Sequence, residues 1–377
     1  MNPAPALLNT PRGQFTLHRM EVVDVAIVGG GPAGSSCAAL CAAAGLRTLI
    51  IEREKFPREK VCGDCINPAC WPVLERLDLA GDIRKLPHGV LGAVEFIAIN
   101  GKKLRVDLPR HGRGEIAIKR SLFDQLLLNR ARSLGAEVRE ETTVVALHRT
   151  AADNWKIDIV RETVVARVIV AADGRNSSVA RLCNLLPRPE RERVALQAHI
   201  PLPQNFGNRV VLQFLPEGYS GQAPVNEREL NLCLVGMPPT IGSLRNWAER
   251  EFKLAPNHQW RTITPLTRDP VPAAHDNLFF IGDAARVVEP FTGEGIYYAL
   301  RSGALAADAI AKIVRGEDRQ PVLREFVRAH RAMYRGRLLI NRLARAAVLS
   351  PRVASALVPI ARFSPFLLSM LTRKIVR

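Results

Sequence analysis

Residues 21–54 read EVVDVAIVGGGPAGSSCAALCAAAGLRTLIIERE, and this stretch admits few folds. An apolar run, 22–28, meets a glycine turn. An Ala-rich stretch, 35–44, follows with high helix propensity and ends at Gly45, a plausible C-cap. A second apolar run, 46–51, then completes a βαβ unit that opens an α/β domain. Gly29, Gly31 and Gly34 spell G-x-G-x-x-G between strand and helix, with Pro32 and Ala33 inside the turn. The pattern alone is weak; in this setting it is specific. Gly29 permits the turn, Gly31 lets backbone approach a pyrophosphate, and Gly34 lets helix and strand pack closely. The anion would sit on the helix N-terminus, where free N–H groups and the dipole favour it. Glu52, followed by Arg53, ends the second strand 18 residues after Gly34. A carboxylate there accepts hydrogen bonds from an adenosine ribose and repels a 2′-phosphate.

The rest of the chain alternates. Asn100-Gly101 sits between two β-rich runs and signals a hairpin. A helix is expected over 121–134, then three strand-like runs: TTVVALHRT, WKIDIVR and TVVARVIVAAD. Residues 194–237 hold three more strand candidates split by Pro- and Gly-rich turns, and from Asn277 a strand, a Gly-Asp pair, a loop and a helix recur. The expected fold class is α/β: a Rossmann-type lobe in three segments (21–85, 112–185 and 262–320), interrupted by an antiparallel β-sheet lobe (86–111 and 186–261). Residues 1–20 read as a loose extension without the apolar core of a signal peptide. Residues 321–377 read as a basic helical region broken at Pro351, Pro359 and Pro365.

Charge is unevenly spread. The net charge is +17, and the last 52 residues carry ten Arg, one Lys and no acid. Such a tail suits an anionic surface, with a solvated helical face as the simpler alternative. The 19 residues 353–371 are nearly long enough to span a bilayer, but Arg362 at their centre and two prolines favour lying at the interface. Seven cysteines, an odd number, fit a reducing compartment better than a disulfide framework.

Two further Gly/Asp pairs end apolar strands: Asp173-Gly174 in VIVAADGRNSSVAR and Gly282-Asp283 in NLFFIGDAARVVEP. Ligands of open α/β sheets sit at such strand ends. Gly293, Gly295 and Ile296 then open a long helix whose amides could face an anionic ring. No second G-x-G-x-x-G exists, so any nicotinamide cofactor would visit without a Rossmann site of its own. Cys62-Gly63-Asp64-Cys65 lies in FPREKVCGDC. The residues leave open a ligand loop, a redox disulfide, inert packing or a zinc half-site.

VAIVGGGPAG, FPREKVCGD, VVAADGRNSSVAR and FFIGDAARVVEPFTGEGIYYALRSG together resemble the para-hydroxybenzoate hydroxylase-like flavoproteins, and within them the geranylgeranyl reductase family, over residues 21–330. The resemblance implies an FAD-binding lobe and a substrate lobe. It implies Asp283 at the ribityl chain, Glu52 at the adenosine ribose, Arg120 near the pyrophosphate, and Asp173-Gly174 supporting FAD and the passage of a reductant. It also implies that Cys62-Gly63-Asp64 forms a loop beside the isoalloxazine, Gly63 letting the backbone lie close to the ring, with Cys65 additional. Archaeal lipid-reducing relatives carry P-x-x-Y-x-W-x-F-P; here PEGYSGQAP keeps Pro216, Tyr219 and Pro224 but has Gly221 and Ala223 for the two aromatics. A wider or differently shaped tunnel follows if those positions line it; a plain turn between strands is the alternative.

The expected activity is FAD-dependent reduction of a C=C bond in an isoprenoid-type or other lipid-like substrate, with NAD(P)H or another donor as transient reductant. Cys62 and Tyr219 are the candidate proton donors. The alternative is an NAD(P)H-dependent monooxygenase of an aromatic or polyketide substrate. Expected partners are a small hydrophobic substrate and an anionic membrane surface rather than nucleic acid, in the cytoplasm, with no bound metal. Nothing in the sequence sets the oligomeric state.

Overall fold

The computed structural model describes residues 21–108, 113–160, 162–187, 193–288, 293–335 and 352. The basic tail expected to contact a membrane through 353–371 lies outside the described residues.

The largest sheet grows from the βαβ unit. Glu21–Val28 pairs in parallel with Thr48–Ile51 on one side and Glu162–Ala171 on the other. Glu137–Arg139 and Leu278–Phe280 extend it in parallel, and the hairpin Val144–Arg149/Trp155–Ile159 folds antiparallel onto Glu162–Ala171. The central strands are apolar on both faces because both are covered. Val25, Ile27, Val168, Val170, Phe279 and Ile281 face one core, and Ala26, Val28, Ile169, Ala171, Leu278 and Phe280 face the other. Period-two alternation sorts them. The helix Pro32–Ala43 packs on the first core against Gly295–Val314 and Arg120–Ser133. Gly303 makes its contact with the long helix possible: a Cβ there would lie 2.3 Å from Ser36 Oγ and 2.5 Å from Ala33 O.

The second sheet runs Arg261–Ile263, Val194–Pro201, Glu229–Gly236, Gly218–Pro224, Arg209–Leu215, Ala93–Ile97, Lys103–Asp107. Strands from 86–111 and 186–261 therefore share one sheet, joined by the parallel pair Arg209–Leu215/Ala93–Ile97. The Asn100-Gly101 hairpin forms as expected. One face packs Leu196, Ala198, Ile200, Leu230, Leu232 and Leu234 on the helix Ile241–Glu251.

Residues 194–237 hold four strands where the sequence suggested three. The additional one is Gly218–Pro224, the stretch GYSGQAP. Its composition is poor for a strand, yet it is hydrogen-bonded on both edges, to Arg209–Leu215 and to Glu229–Gly236. Tertiary pairing overrides propensity here. It is not the turn that Pro and Gly alone suggested.

A third sheet of three short strands, Cys65–Ile66, Glu115–Ala117 and Gly89–Leu91, lies between the two large ones. Gly89 touches the second large sheet so closely that a Cβ there would meet Pro224 O at 1.8 Å.

Candidate functional site

The glycines of the fingerprint divide their roles. Gly29 has φ +104°, and a Cβ there would stand 2.6 Å from Ala172 O; one on Gly34 would stand 1.9 Å from Gly29 O. Both are required by the chain itself. Gly31 is different: only Arg58 Nη2, at 3.5 Å, lies near its virtual Cβ. Gly31 caps Pro32–Ala43 with no side-chain hydrogen bond, Pro32 begins the helix, and no acid sits in its first turn. The helix end therefore presents free amides and a positive dipole to open ground. Glu52, 4% exposed, is held by two amides: Gly30 N donates to Oε2 at 2.6 Å and Glu54 N to Oε1 at 2.9 Å. Each oxygen keeps a lone pair for a hydroxyl. Arg53 is exposed and pairs with Glu54 at 3.4 Å. Ala33 packs against Gly282, where φ is +57°.

Cations converge beside this helix end. Arg120 makes two hydrogen bonds to the fully buried Asp124, at 2.6 and 2.7 Å, and Arg58 Nη1 reaches the same carboxylate at 3.2 Å. Arg175 Nη2 donates to Asp283 Oδ2 at 3.3 Å. Lys60 Nζ points at Gly174, 3.7 Å from its virtual Cβ. Burial and then Arg175 pull the Lys60 amine down to about 8, with Arg120 and Arg58 adding and Asp283 opposing. Asp173 Oδ2 caps the turn Ser178–Leu182, accepting from Ser178 N at 2.6 Å, Ser178 Oγ at 2.7 Å and Val179 N at 3.2 Å. Its Oδ1 is buried without a partner among the described residues. Gly293 has φ +67° and lies against Cys65, while Gly295 and the buried Ile296 begin the long helix. Residues 289–292 lie outside the described residues.

This set fits FAD. Four cations face two carboxylates, an excess of charge that a diphosphate would neutralise. Glu52 has acceptors for a ribose, and Asp173 Oδ1 and Arg175 Nε are buried polar atoms that still lack partners.

The Cys62–Cys65 turn is pinned from the second large sheet. Asn231 Nδ2 donates to Cys62 O at 2.7 Å and Cys233 Sγ lies 3.3 Å from it. Asp64 is fully buried, with His199 Nε2 at 2.8 Å from Oδ2. Gln197 bridges His199 and Asn231, at 3.2 and 3.1 Å. The left-handed residue is Asp64, φ +61°; Gly63 has no such torsion, and nothing lies within 4 Å of its virtual Cβ. The turn thus keeps an open side at Gly63. Cys62 and Cys65 are free thiols. Burial raises both, Cys65 strongly, while Arg120 partly offsets the rise at Cys62. Neutral thiols are poor partners for disulfide exchange, which needs a thiolate.

Tyr219, 3% exposed, packs with Ala98, Leu104, Phe214, Val235 and Leu266. It shares a sheet face with Gly221 and Ala223, which oppose Cys233 and Asn231. Gly221, rather than Tyr219, thus stands across from the residues that hold Cys62. Its virtual Cβ would meet only Leu212 at 3.7 Å and Cys233 at 4.0 Å.

Comparison with known proteins agrees with this chemistry. A family profile described as an FAD binding domain matches residues 22–204. A menaquinone reductase of Mycolicibacterium smegmatis is 28% identical, with 76% of this chain and 75% of that protein covered. A digeranylgeranylglycerophospholipid reductase of Methanocaldococcus jannaschii is 27% identical, with 82% of each covered. The chain is an FAD-dependent oxidoreductase. A conditioned medium factor receptor of Dictyostelium discoideum is also 28% identical over 79% of this chain, which spans 65% of that longer protein. A flavin-dependent brominase of solved structure superposes with a TM-score of 0.78 at 21% identity, covering 94% of this chain and 93% of its own, which speaks to the fold.

Several residues of this oxidoreductase escaped the sequence reading. Arg58 and Lys60 were visible inside FPREK, and Asp124 four residues after Arg120 stands at the helical spacing of an ion pair. Arg175 follows Asp173-Gly174 directly. His199 and Asn231 left no local signal, because only strand pairing brings them to the Cys62 turn.

Proposed function

We propose that this oxidoreductase reduces C=C bonds of an isoprenoid-type, lipid-like substrate. The observation that carries the reading is the sheet face over the Cys62 turn. There Gly221 and Ala223 stand beside Leu212, Val94 and Val210, a surface apolar in character and open at its centre. The names of two relatives, reductases of a geranylgeranyl lipid and of menaquinone, support it.

FAD, when bound, supplies the hydride. The chain does the rest. The helix end at Gly31, with Arg58, Lys60 and Arg120, holds the diphosphate. Glu52 holds the ribose, and Asp283 and Asp173 orient the ribityl side. The Cys62–Asp64 turn, locked by Asn231 and His199, sets the wall beside the ring and excludes water. Of the two groups the sequence offers as proton donors, Cys62 lies in this turn and Tyr219 does not. NAD(P)H or another donor would serve as the transient reductant.

The substrate lobe comprises 86–111 and 186–261, and the flavin lobe the remaining segments up to 320. Peripheral contact with an anionic membrane belongs to the same reading, in a cytoplasmic setting. Arg324, Arg328, Arg331 and Arg335 line a groove of about 650 Å³ with Leu323 and Val327. Among the described residues no helix is long and apolar enough to cross a membrane.

The test is anaerobic. Enzyme reduced with dithionite is mixed with a geranylgeranyl lipid or with menaquinone. Return of the oxidised flavin spectrum, with two hydrogens added to the prenyl chain by mass and NMR, is the expected result. Turnover only with oxygen, and oxygen in the product, would replace the reductase by the monooxygenase.

A further inference from the structure

Glu115 begins the middle strand of the small sheet. Ala117 opposes Cys65 and Gly89, and Glu115 opposes Leu91. Paired residues share a face, so Glu115 stands with Cys65, Leu91 and Ala117. That face meets Ala223 and Val225 of the substrate-side sheet in one apolar cluster. Gly293, at the mouth of the long helix, lies 3.9 Å from Cys65 Cβ when given a virtual Cβ. Glu115 therefore shares its face with Cys65, Leu91 and Ala117, the residues through which the small sheet meets the Gly293 turn and the second large sheet.

Its carboxyl is left alone. Among the described residues no hydrogen bond or ion pair engages it. The neighbouring Arg113 turns away, pairing with Glu75 at 3.2 Å and stacking on Trp71 at 5.6 Å. Lys119, further along the same face, is held by Glu229 at 2.6 Å. The other titratable groups on packed elements are Cys65, the buried Asp64 and Glu294, which caps the long helix. Yet Glu115 is only partly buried, so it keeps accessible surface at this depth. A half-buried carboxyl beside an apolar cluster, with no cation paired to it among the described residues, is suited to carry a proton.

We propose that Glu115, as the protonated acid, delivers the proton that completes reduction of the substrate. This rests on the reductase reading above. Reduced flavin, when bound, would supply a hydride to one carbon of the substrate π bond. The Glu115 O–H bond breaks as a C–H bond forms at the adjacent carbon, and the carboxylate left behind regains its proton from water. Two electrons and two hydrogens are thereby accounted for. Burial, which pushes the Glu115 carboxyl up to about 7, makes the acid form available at neutral pH.

The test compares wild-type, Glu115→Gln and Glu115→Asp holoproteins. Infrared difference titration of the oxidised, substrate-free proteins should show a protonated-carboxyl band fading near pH 7 in wild type and absent from Glu115→Gln. Single-turnover reoxidation by menaquinone or a geranylgeranyl lipid should slow about a hundredfold in Glu115→Gln, with flavin content unchanged. Glu115→Asp should recover part of the rate. The wild-type rate should fall as pH rises through about 7, and the Gln rate should not. A band that survives in Glu115→Gln, or a Gln variant with the wild-type rate and pH profile, overturns the inference while leaving the reductase intact. Failure of wild type to be reoxidised by either lipid overturns the reductase reading and this inference together, and needs no variant to be seen.

Discussion

Around the end of Pro32–Ala43, Arg58, Lys60, Arg120 and Arg175 crowd against Asp124 and Asp283; at the small sheet, Glu115 stands without a partner among apolar side chains. In the first region Asp124 fixes Arg58 and Arg120 and Asp283 fixes Arg175, while Lys60 has no ion pair among the described residues and leaves an excess of positive charge suited to an anion. The second is underdetermined, with one ionisable group that no cation pairs among the described residues. Tight geometry holds a cofactor, whereas a displaced proton equilibrium suits chemistry. The comparison predicts that damage to the first region shows in flavin retention and damage to the second in rate.

The largest effect should come from Asp124→Ala. It leaves Arg58 and Arg120 buried and unpaired, at a cost of about 3–5 kcal/mol. Denaturant unfolding and the flavin-to-protein ratio should both collapse; a stable, yellow variant would break the comparison. Lys60→Met should come next, weakening FAD about tenfold, the loss of one charge-assisted contact. Its pH signature is sharper. The amine is depressed to about 8 before the diphosphate arrives. Binding must then take up a proton above that pH. Wild-type affinity should therefore fall as pH rises past about 8, by up to about tenfold per unit, while Lys60→Met stays flat. Fluorescence titration with FAD across pH reads both.

His199→Ala should cost less, about 1–3 kcal/mol, by leaving Asp64 unsatisfied. It should keep the flavin but slow substrate-dependent reoxidation, because the Cys62 turn loses its tie to the substrate sheet. Full activity with an unchanged melting temperature would show the tie to be idle. The smallest effect separates the two thiols. Cys62→Ser should slow reoxidation and Cys65→Ser should be nearly silent. Equal and complete loss in both would revive a dithiol route.

What the sequence made legible was local or periodic. The fingerprint glycines, Glu52 and the apolar runs of the parallel sheet each carry their meaning within a few residues. GYSGQAP did not read as a strand because its place is fixed by neighbours on both edges rather than by its own propensities. The backbone of the Cys62 turn was not legible either: Asp64 takes the left-handed torsion there and is held by His199 from a strand distant in sequence. Glu115 was invisible for a third reason: an acid at the start of a short strand looks solvated until segments from 65 and 91 pair on either side of that strand.

The parallel pairing of Ile169–Ala171 with Leu278–Phe280 has a consequence for biosynthesis. More than a hundred residues, including most of the substrate sheet, leave the ribosome between these two strands. Until the later one arrives, the earlier one offers an unpaired apolar edge, and closing so long a loop is slow. A nascent chain halted between them should therefore be a strong client for chaperones, and one released just after residue 280 a weaker one. Codon choice across 190–270 would then tune yield without altering a single side chain.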